Sequence, residues 1–384
     1  MEIGTKVKKE AYIVDTAMVT GLGNSLDVNW EKLCLGESAM GLVEHFSTER
    51  LNFHKACCIG DLWNRDYSNR ICELTKRALE QLSFVPRDTF VIWTGVKGNV
   101  EYIEKSFSNT VPTDDQLFLP FHYRRWVCQY LGLNNVGMEV NAACASSTVG
   151  LAIAGQLISQ GEYSSVLVCG ADIVSRFTFM GFSALRALSQ TDCRPFDQDR
   201  DGLCLGDGAS AILLVNDETA QQYGYKKLSR LTGWGIGNDA NHITGPARDA
   251  SGLISSIKTS LEMSELSPES IQAFCAHGTG TVYNDAMELT AVEEIFGKRR
   301  FPIFSVKGAI GHTLGAAGSI ETAFCTRALQ EKTIPPTVGL RVAESRAEGR
   351  VSPTSQAFEG DTILTTNSGF GGINAALILM QNTG

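Results

Sequence analysis

Paired cysteines are missing from this chain. Its 384 residues include 11 cysteines, an odd number, with no Cys-x-x-Cys pair and no metal-type spacing. A secreted disulfide framework is usually short, loop-rich and even in cysteine number. A structural zinc site would need closely spaced cysteine and histidine ligands. We therefore expect free thiols, no bound metal and a reducing compartment, the cytoplasm.

The sequence also has no excess of basic over acidic residues, and its first residues do not resemble a signal peptide. The chain has 33 lysines and arginines against 42 aspartates and glutamates, a formal net charge of −9. General nucleic-acid binders usually present excess positive charge on one face, so we expect no nucleic-acid partner. The first residues, MEIGTKVKKE, contain charge but no apolar run long enough for a signal peptide.

Charge is absent from residues 140–161, VNAACASSTVGLAIAGQLISQG. A membrane span that faces lipid would contain more Leu, Ile and Phe and fewer small or polar residues. The segment therefore predicts a buried core helix, and we expect no membrane association.

Apolar runs of strand length alternate with helical patterns along the rest of the chain. AYIVDTAMVTG precedes SLDVNWEKLCLG, and FPIFSVKGAIG precedes GAAGSIETAFCTRAL. This alternation predicts an α/β fold with a largely buried sheet. A polar, turn-rich stretch near 216–225 suggests a boundary, so we predict an N-terminal half, 1–220, and a C-terminal half, 221–384.

Cys144 lies where the predicted strand VGMEV is followed by the small-residue helix. A thiol at a helix N-terminus lies among unpaired N–H groups at the positive end of the dipole, which favours the thiolate. Small neighbours would let a substrate come close. This stretch alone leaves an inert buried cysteine equally open.

His277 follows the strand IQAFCA in a loop of glycines and threonines. Open α/β sheets bind ligands at the carboxyl ends of their strands, so this position suits a catalytic side chain. Thr279 and Thr281 could hold a polar arm of a substrate. Asp285 and Glu288 have the spacing of a capping box and, of the alternatives, favour a helix start.

His312 lies in a second strand, loop and helix, SVKGAIGHTLGAAGSIETAF. Lys307 and Glu321 flank it closely enough to pair and orient the site. The loop lacks the Lys-Ser/Thr ending of a P-loop, and the two histidines have no zinc spacing. Phe370 stands between glycines in NSGFGGIN, which permits close backbone approach.

One cysteine and two histidines, each on a small-residue turn after a strand, are much more specific together. The chain resembles the beta-ketoacyl-[acyl carrier protein] synthases of the elongating Cys-His-His type, within the thiolase-like superfamily. The matching motifs cover nearly the whole chain: VTGLGNSLDVNWEKLCLGES, NAACASS, GFSALRALS, RPFDQDRDGLCLGDGASAILL, NDANHITGP, AHGTGTVYND, KGAIGHTLGAAGSIE and NSGFGGIN.

The resemblance implies a thiolase-like fold, duplicated and five-layered (αβαβα), with one sheet from each half. It implies a decarboxylative Claisen condensation in fatty acid or polyketide/polyene biosynthesis. An acyl chain would pass from acyl carrier protein to Cys144, and malonyl-acyl carrier protein would extend it to a 3-oxoacyl-acyl carrier protein. Apart from the carrier's phosphopantetheine, no cofactor is implied.

The resemblance also implies roles for the site residues. His277 and His312 would support decarboxylation, and Lys307 would tune them while paired with Glu321. The main-chain N–H groups of Cys144 and Phe370 would form an oxyanion hole, with the Phe370 ring as the gate to the acyl pocket.

The other implied contacts concern substrate and partners. Thr279 and Thr281 would contact the phosphopantetheine arm. The chain would form a homodimer or a heterodimer with a chain-length factor. Docking an acidic carrier needs basic residues, for which there are four candidates: Arg65, Arg70, Arg124 and Arg125.

Two departures separate the chain from ordinary family members. Ser368 stands directly before GFGG, where a phenylalanine is expected, and the segment ALSQTDCRPFD is short. Both point to a specialised polyene or polyketide substrate. The main alternative function is a chain-shaping partner subunit with little activity of its own. A papain-like protease, which also orders Cys, His and Asn, does not explain His312.

Overall fold

A computed structural model describes residues 9–65, 69–107 and 119–382. Its strands are β1 (Ala11–Thr20), β2 (Gly41–Leu42), β3 (Lys55–Ala56), β4 (Phe90–Trp93), β5 (Gly137–Glu139), β6 (Ser165–Asp172), β7 (Gly208–Val215), β8 (Ser229–Asn238), β9 (Ala273–Cys275), β10 (Ile303–Phe304), β11 (Thr333–Ile334), β12 (Gln356–Ala357), β13 (Thr362–Gly369) and β14 (Ile373–Gln381). Its helices are α1 (Leu26–Cys34), α2 (Gly60–Trp63), α3 (Arg70–Leu79), α4 (Val100–Phe107), α5 (Pro120–Tyr130), α6 (Ser146–Ser159), α7 (Arg176–Ala184), α8 (Asp217–Tyr223), α9 (Ser251–Ser264), α10 (Val282–Phe296), α11 (Lys307–Ile310) and α12 (Ala317–Glu331).

The main sheet repeats one strand order twice. One set of five strands has the order β5-β4-β6-β7-β1, and the other has the order β10-β9-β13-β14-β8. If the five strands of each set are numbered in chain order, both sets have the spatial order 3-2-4-5-1. In both sets the first two pairings are parallel and the next two antiparallel. A duplicated fold would produce this repetition.

The two sets are joined where β1 pairs with β8 over three residues, so they form one hydrogen-bonded sheet of ten strands. The resemblance implied one separate sheet for each half, and this short antiparallel pairing is the difference. Helices α6 and α12 contact each other and strands of both sets, and the sheet therefore folds around them. With α3 and α5 outside the first set and α9 outside the second, the thiolase-like αβαβα layers are present as predicted.

The uncharged segment forms α6 and the turn before it, in the central layer. Its small and apolar side chains suit a helix that packs on all sides. Close packing extends to α12, where a Cβ atom on Gly318 would lie 1.9 Å from Oγ1 of Thr148. Burial inside a protein core therefore explains the absence of charge. Within the described ranges, no helix is long and apolar enough to span a membrane.

The predicted boundary between residues 220 and 221 falls inside helix α8, which occupies much of the stretch expected to be turn-rich. Asn216 accepts a hydrogen bond from the Thr219 N–H and begins the helix, so polar residues here are a helix cap and an exposed helix face. The division into 1–220 and 221–384 stays a prediction. Residues 1–8, on which the signal-peptide prediction mainly depends, lie outside the described residues.

Candidate active site

Cys144 lies in the tight turn between β5 and α6 and is 6% exposed. The preceding Ala143 has φ = 49°, a left-handed conformation that costs energy in a non-glycine residue. The β13–β14 turn approaches this loop so closely that a Cβ on Gly369 would lie 2.5 Å from the carbonyl oxygen of Ala142. This approach lets the main-chain N–H of Phe370 hydrogen-bond to the Cys144 sulfur.

Burial raises the pKa of the Cys144 thiol to about 11, although the charges of Lys307 and Lys97 oppose the rise. The sequence-based expectation of a thiolate favoured by the helix N-terminus is therefore wrong. Desolvation of the buried sulfur outweighs the nearby positive groups. A base must remove the thiol proton when the cysteine reacts.

We expect the alkylation rate of Cys144 by iodoacetamide to rise about tenfold for each pH unit up to about pH 10, because only the thiolate reacts. Peptide-resolved mass spectrometry separates Cys144 from the other cysteines, and the half-buried Cys72 on α3 reports reagent reactivity away from the site. A rate that levels off below about pH 8 would contradict the raised pKa.

His277 follows β9 and is fixed by the side chain of Asn367, at the end of β13. Nδ2 of Asn367 lies 2.9 Å from Nδ1 of His277 and donates at 2.8 Å to Glu321. Oδ1 of Asn367 accepts from the Thr148 hydroxyl. Since a carboxylate can only accept, the side-chain NH2 group of Asn367 faces Glu321, and the same group also donates to Nδ1 of His277. His277 therefore carries its proton on Nε2.

His312 lies between α11 and the short 3-10 turn that precedes α12, with its ring perpendicular to that of His277 at 5.1 Å between centroids. Its main chain is held on both sides, because its N–H donates to the Cys204 carbonyl and its carbonyl accepts from Gly206. Its Nδ1 is buried without a hydrogen-bond partner among the described residues. Burial and the Lys307 charge lower the pKa of both histidines well below the usual range, so both are neutral.

Lys307 and Glu321 form a buried ion pair behind the histidines, each about 1% exposed. Nζ of Lys307 also donates to the carbonyl of His277 at 2.5 Å. Burial raises the pKa of Glu321, and the Lys307 ammonium opposes that rise. The predicted pairing is present, and it connects the His277 loop to α12.

Asp285 and Glu288 were expected to cap a helix, and this expectation is wrong. Helix α10 begins earlier, after Thr281, and the two carboxylates point back to the His277 loop. Glu288 accepts from the N–H groups of His277 at 2.6 Å and Gly278 at 2.7 Å. Burial, with the nearby Asp285, raises the pKa of Glu288 to about 8. These carboxyl groups shape the loop that carries His277.

Two cavities meet at Cys144. The larger, about 440 Å³, is lined by both histidines and by Thr279 and Thr281, whose hydroxyl oxygens lie 2.9 Å apart. The smaller, about 360 Å³, is lined mainly by apolar side chains. Phe182 and Phe370 line both, with stacked rings 5.5 Å apart at the boundary. Lys307 and Glu321 lie behind the larger cavity. That cavity thus brings together six of the predicted site residues: Cys144, His277, Thr279, Thr281, His312 and Phe370.

None of the four arginines proposed for carrier docking lines either of the two cavities at Cys144. The prediction is wrong for Arg70, which is buried and paired with Glu101. Arg124 is paired with Glu139. Arg186, which the sequence analysis did not select, lines the larger cavity. In the part of the chain that the structure describes, no group of three or more His, Cys, Asp or Glu side chains could hold a metal ion.

Ser368, which stands where a phenylalanine is expected before the glycine-rich turn, is half-buried at the wall of the larger cavity. Its hydroxyl donates at 2.6 Å to Oδ1 of Asn374, which in turn donates to Asp239 at 2.8 Å. The residue therefore ties the two ends of the β13–β14 turn to the loop after β8.

Comparison with known proteins agrees with this geometry. Residues 126–220 match the beta-ketoacyl synthase N-terminal domain, and residues 228–341 match its C-terminal domain. The 3-oxoacyl-[acyl-carrier-protein] synthase 2 of Rhizobium meliloti (strain 1021) is 30% identical, over 98% of this chain and all of that protein. The protein of the same name from Coxiella burnetii is 26% identical, over 97% and 99%.

Solved structures show the same architecture. The ishigamide ketosynthase/chain length factor superposes with a TM-score of 0.89 at 24% identity, over 98% of this chain and all of that one. The ketosynthase ApeO in complex with its chain length factor ApeC, from Xenorhabdus doucetiae, gives 0.81 at 26%, over all of both chains. The fold is thus that of the thiolase-like ketosynthases. The chain belongs to the beta-ketoacyl synthase family.

Proposed function

We propose that this chain is an acyltransferase that elongates an acyl thioester by decarboxylative Claisen condensation. The observation that carries the proposal is the meeting of a cysteine and two neutral histidines at the junction of two cavities. One cavity suits a polar carrier arm and the other an apolar chain. The product is a 3-oxoacyl thioester on acyl carrier protein.

In the first stage, the sulfur of Cys144 attacks the carbonyl carbon of the acyl donor. The thiol proton passes to a neutral imidazole, the C–S bond to the carrier breaks, and the carrier thiol takes a proton as it leaves. The main-chain N–H groups of Cys144 and Phe370 hold the oxyanion that forms between these steps. The acyl chain then occupies the smaller cavity.

In the second stage, malonyl-acyl carrier protein places its arm beside Thr279 and Thr281. The bond to its carboxylate breaks, carbon dioxide leaves, and the electron pair remains as an enolate. His277 donates from Nε2–H to the enolate oxygen, and His312 is a second donor. The enolate carbon attacks the acyl carbon, the bond to the Cys144 sulfur breaks, and the departing thiolate takes a proton from solvent.

Neutral histidines suit this second stage. A donor need only hydrogen-bond to the thioester oxygen, and the charge that develops there is met by pre-oriented N–H groups. Asn367 fixes the tautomer of His277, and Glu288 fixes the loop around it. The proposed reaction requires no metal or nicotinamide, because the substrates arrive as thioesters on phosphopantetheine.

The test is intact-mass analysis of the protein after incubation with acyl carrier proteins of several chain lengths. We expect one acyl adduct per chain, on the peptide that contains Cys144. Added malonyl-acyl carrier protein should then discharge the adduct and give a 3-oxoacyl product with one more two-carbon unit. Absence of any adduct would refute the proposal.

The alternative of a chain-shaping partner subunit is favoured by the likeness to ketosynthase and chain length factor assemblies. The same experiment separates the two functions, because a shaping subunit would remain unmodified while a co-expressed partner became acylated. We propose a homodimer, and apolar side chains exposed on β5 and α7, such as Met138 and Phe177, support a subunit contact. The free cysteines support a cytoplasmic location.

A further inference from the structure

Among the described residues that line the smaller cavity at Cys144, one is charged. Its described lining is otherwise apolar or uncharged: Val96, Ala143, Cys144, Phe177, Thr178, Gly181, Phe182, Leu185, Leu314 and Phe370. The charged residue is Lys97, which is half-buried on the loop after β4. Its Nζ lies 6.0 Å from the ring centroid of Phe177, so the ammonium faces the cavity wall.

Asp172 is the acidic group within electrostatic range of Lys97, but the two side chains form no ion pair. Within the described ranges, no Asp or Glu side chain forms a salt bridge with the Nζ of Lys97. The carboxylate of Asp172 is already engaged, because it accepts the main-chain N–H groups of Val96 at 3.1 Å and Gly315 at 2.8 Å. An ammonium beside an apolar space is costly unless a hydrogen-bond acceptor joins it.

Lys97 also lies near Cys144, the proposed nucleophile. Its charge opposes the burial-driven rise in the pKa of Cys144, which places the ammonium within electrostatic range of the sulfur. Both residues line the same space. A chain attached to Cys144 would therefore extend toward Lys97.

We infer that Lys97 is a specificity-determining residue, and that the acyl chain accepted on Cys144 carries an oxygen acceptor, a carboxylate or a ketone, at or near its distal end. The inference rests on the proposed function, since it concerns the chain bound as the thioester. The hydroxyl of Thr178 lies 3.1 Å from that of Ser175 and is neutral, so it could add only an uncharged hydrogen bond. A charge-assisted hydrogen bond from Lys97 would distinguish such chains from saturated ones.

The test compares three donors of equal length on acyl carrier protein: an octanoyl chain, its ω-carboxylated form and its form with a ketone next to the terminal methyl. Hexanoyl and decanoyl sets repeat the comparison at other lengths. The readout is kcat/KM for formation of the acyl adduct on Cys144. We expect the wild type to prefer at least one oxygenated chain to the methyl-ended chain.

In Lys97→Met, which keeps the length and removes the charge, this preference should fall by at least about tenfold, the size of one charge-assisted hydrogen bond. Lys97→Arg should keep it. Lys258→Met, on the outer helix α9, is the matched control. Thermal unfolding checks that Lys97→Met folds, and dividing each rate by that of the methyl-ended donor removes any effect that loss of the Lys97 charge has on Cys144 itself.

The result for the oxygenated donors decides their chemistry. A preference for the carboxylate alone assigns an anionic chain end, and a preference for the ketone alone assigns a neutral polyketide-like end. Equal rates for all three donors, or a preference unchanged in Lys97→Met, would overturn the inference and leave the proposed function intact. Absence of any adduct from every donor would overturn both.

Discussion

Replacing Cys144 with alanine is expected to abolish the acyl adduct and to lower condensation at least about 10⁴-fold, because the covalent intermediate can no longer form. Intact mass measures the adduct, and chromatography of the released acyl chains measures condensation. Carbon dioxide release from malonyl-acyl carrier protein should persist, since both histidines remain. The substituted side chain is small and lies among alanines and serines, so the fold should be retained.

The control is Cys72→Ala, which alters a half-buried thiol on α3, in the outer helix layer. It should keep both the adduct and the condensation rate. An adduct that survives in Cys144→Ala would place the nucleophile elsewhere and would contradict the mechanism.

Replacing Lys307 with methionine should cost about 3–5 kcal/mol in free energy of unfolding, because it leaves the Glu321 carboxylate buried without its partner. It should also slow condensation about 10²-fold or more, because the donor to the His277 carbonyl and the charge beside both histidines are lost. Urea denaturation and the condensation assay measure the two effects.

A double variant separates stability from activity. Lys307→Met combined with Glu321→Leu removes the uncompensated charge, so stability should recover while activity stays low. The control is Lys9→Met, which breaks an exposed pair with Glu218 and should cost less than about 1 kcal/mol. If Lys307→Met proved no more damaging than this control, the buried pair would not have the role assigned to it.

The candidate site positions could be selected from sequence because each lies in a local pattern. Cys144, His277 and His312 each follow a strand on a small-residue turn, and Lys307 and Glu321 lie close to His312 along the chain. The alternation of strands and helices predicted an α/β fold, whereas the five layers and the roles of the site residues were implied by the family resemblance.

The supporting interactions could not be predicted in this way. Asn367 orients a histidine 90 positions earlier, and only the pairing of β13 with β9 brings the two together. Glu288 has the spacing of a helix cap, yet it binds a loop that precedes its helix. The raised pKa of Cys144 depends on burial, which several distant segments produce together.

The junction of the two cavities has a consequence for the order of events in turnover. Both carrier arms would have to use the larger cavity, where Thr279 and Thr281 lie, and each would have to reach the same sulfur. The first carrier would therefore have to depart before the second could enter. Acyl-loaded and malonyl-loaded carrier proteins would then compete for one binding site. An excess of either carrier would stop the catalytic cycle at the half-reaction in which that carrier is the substrate.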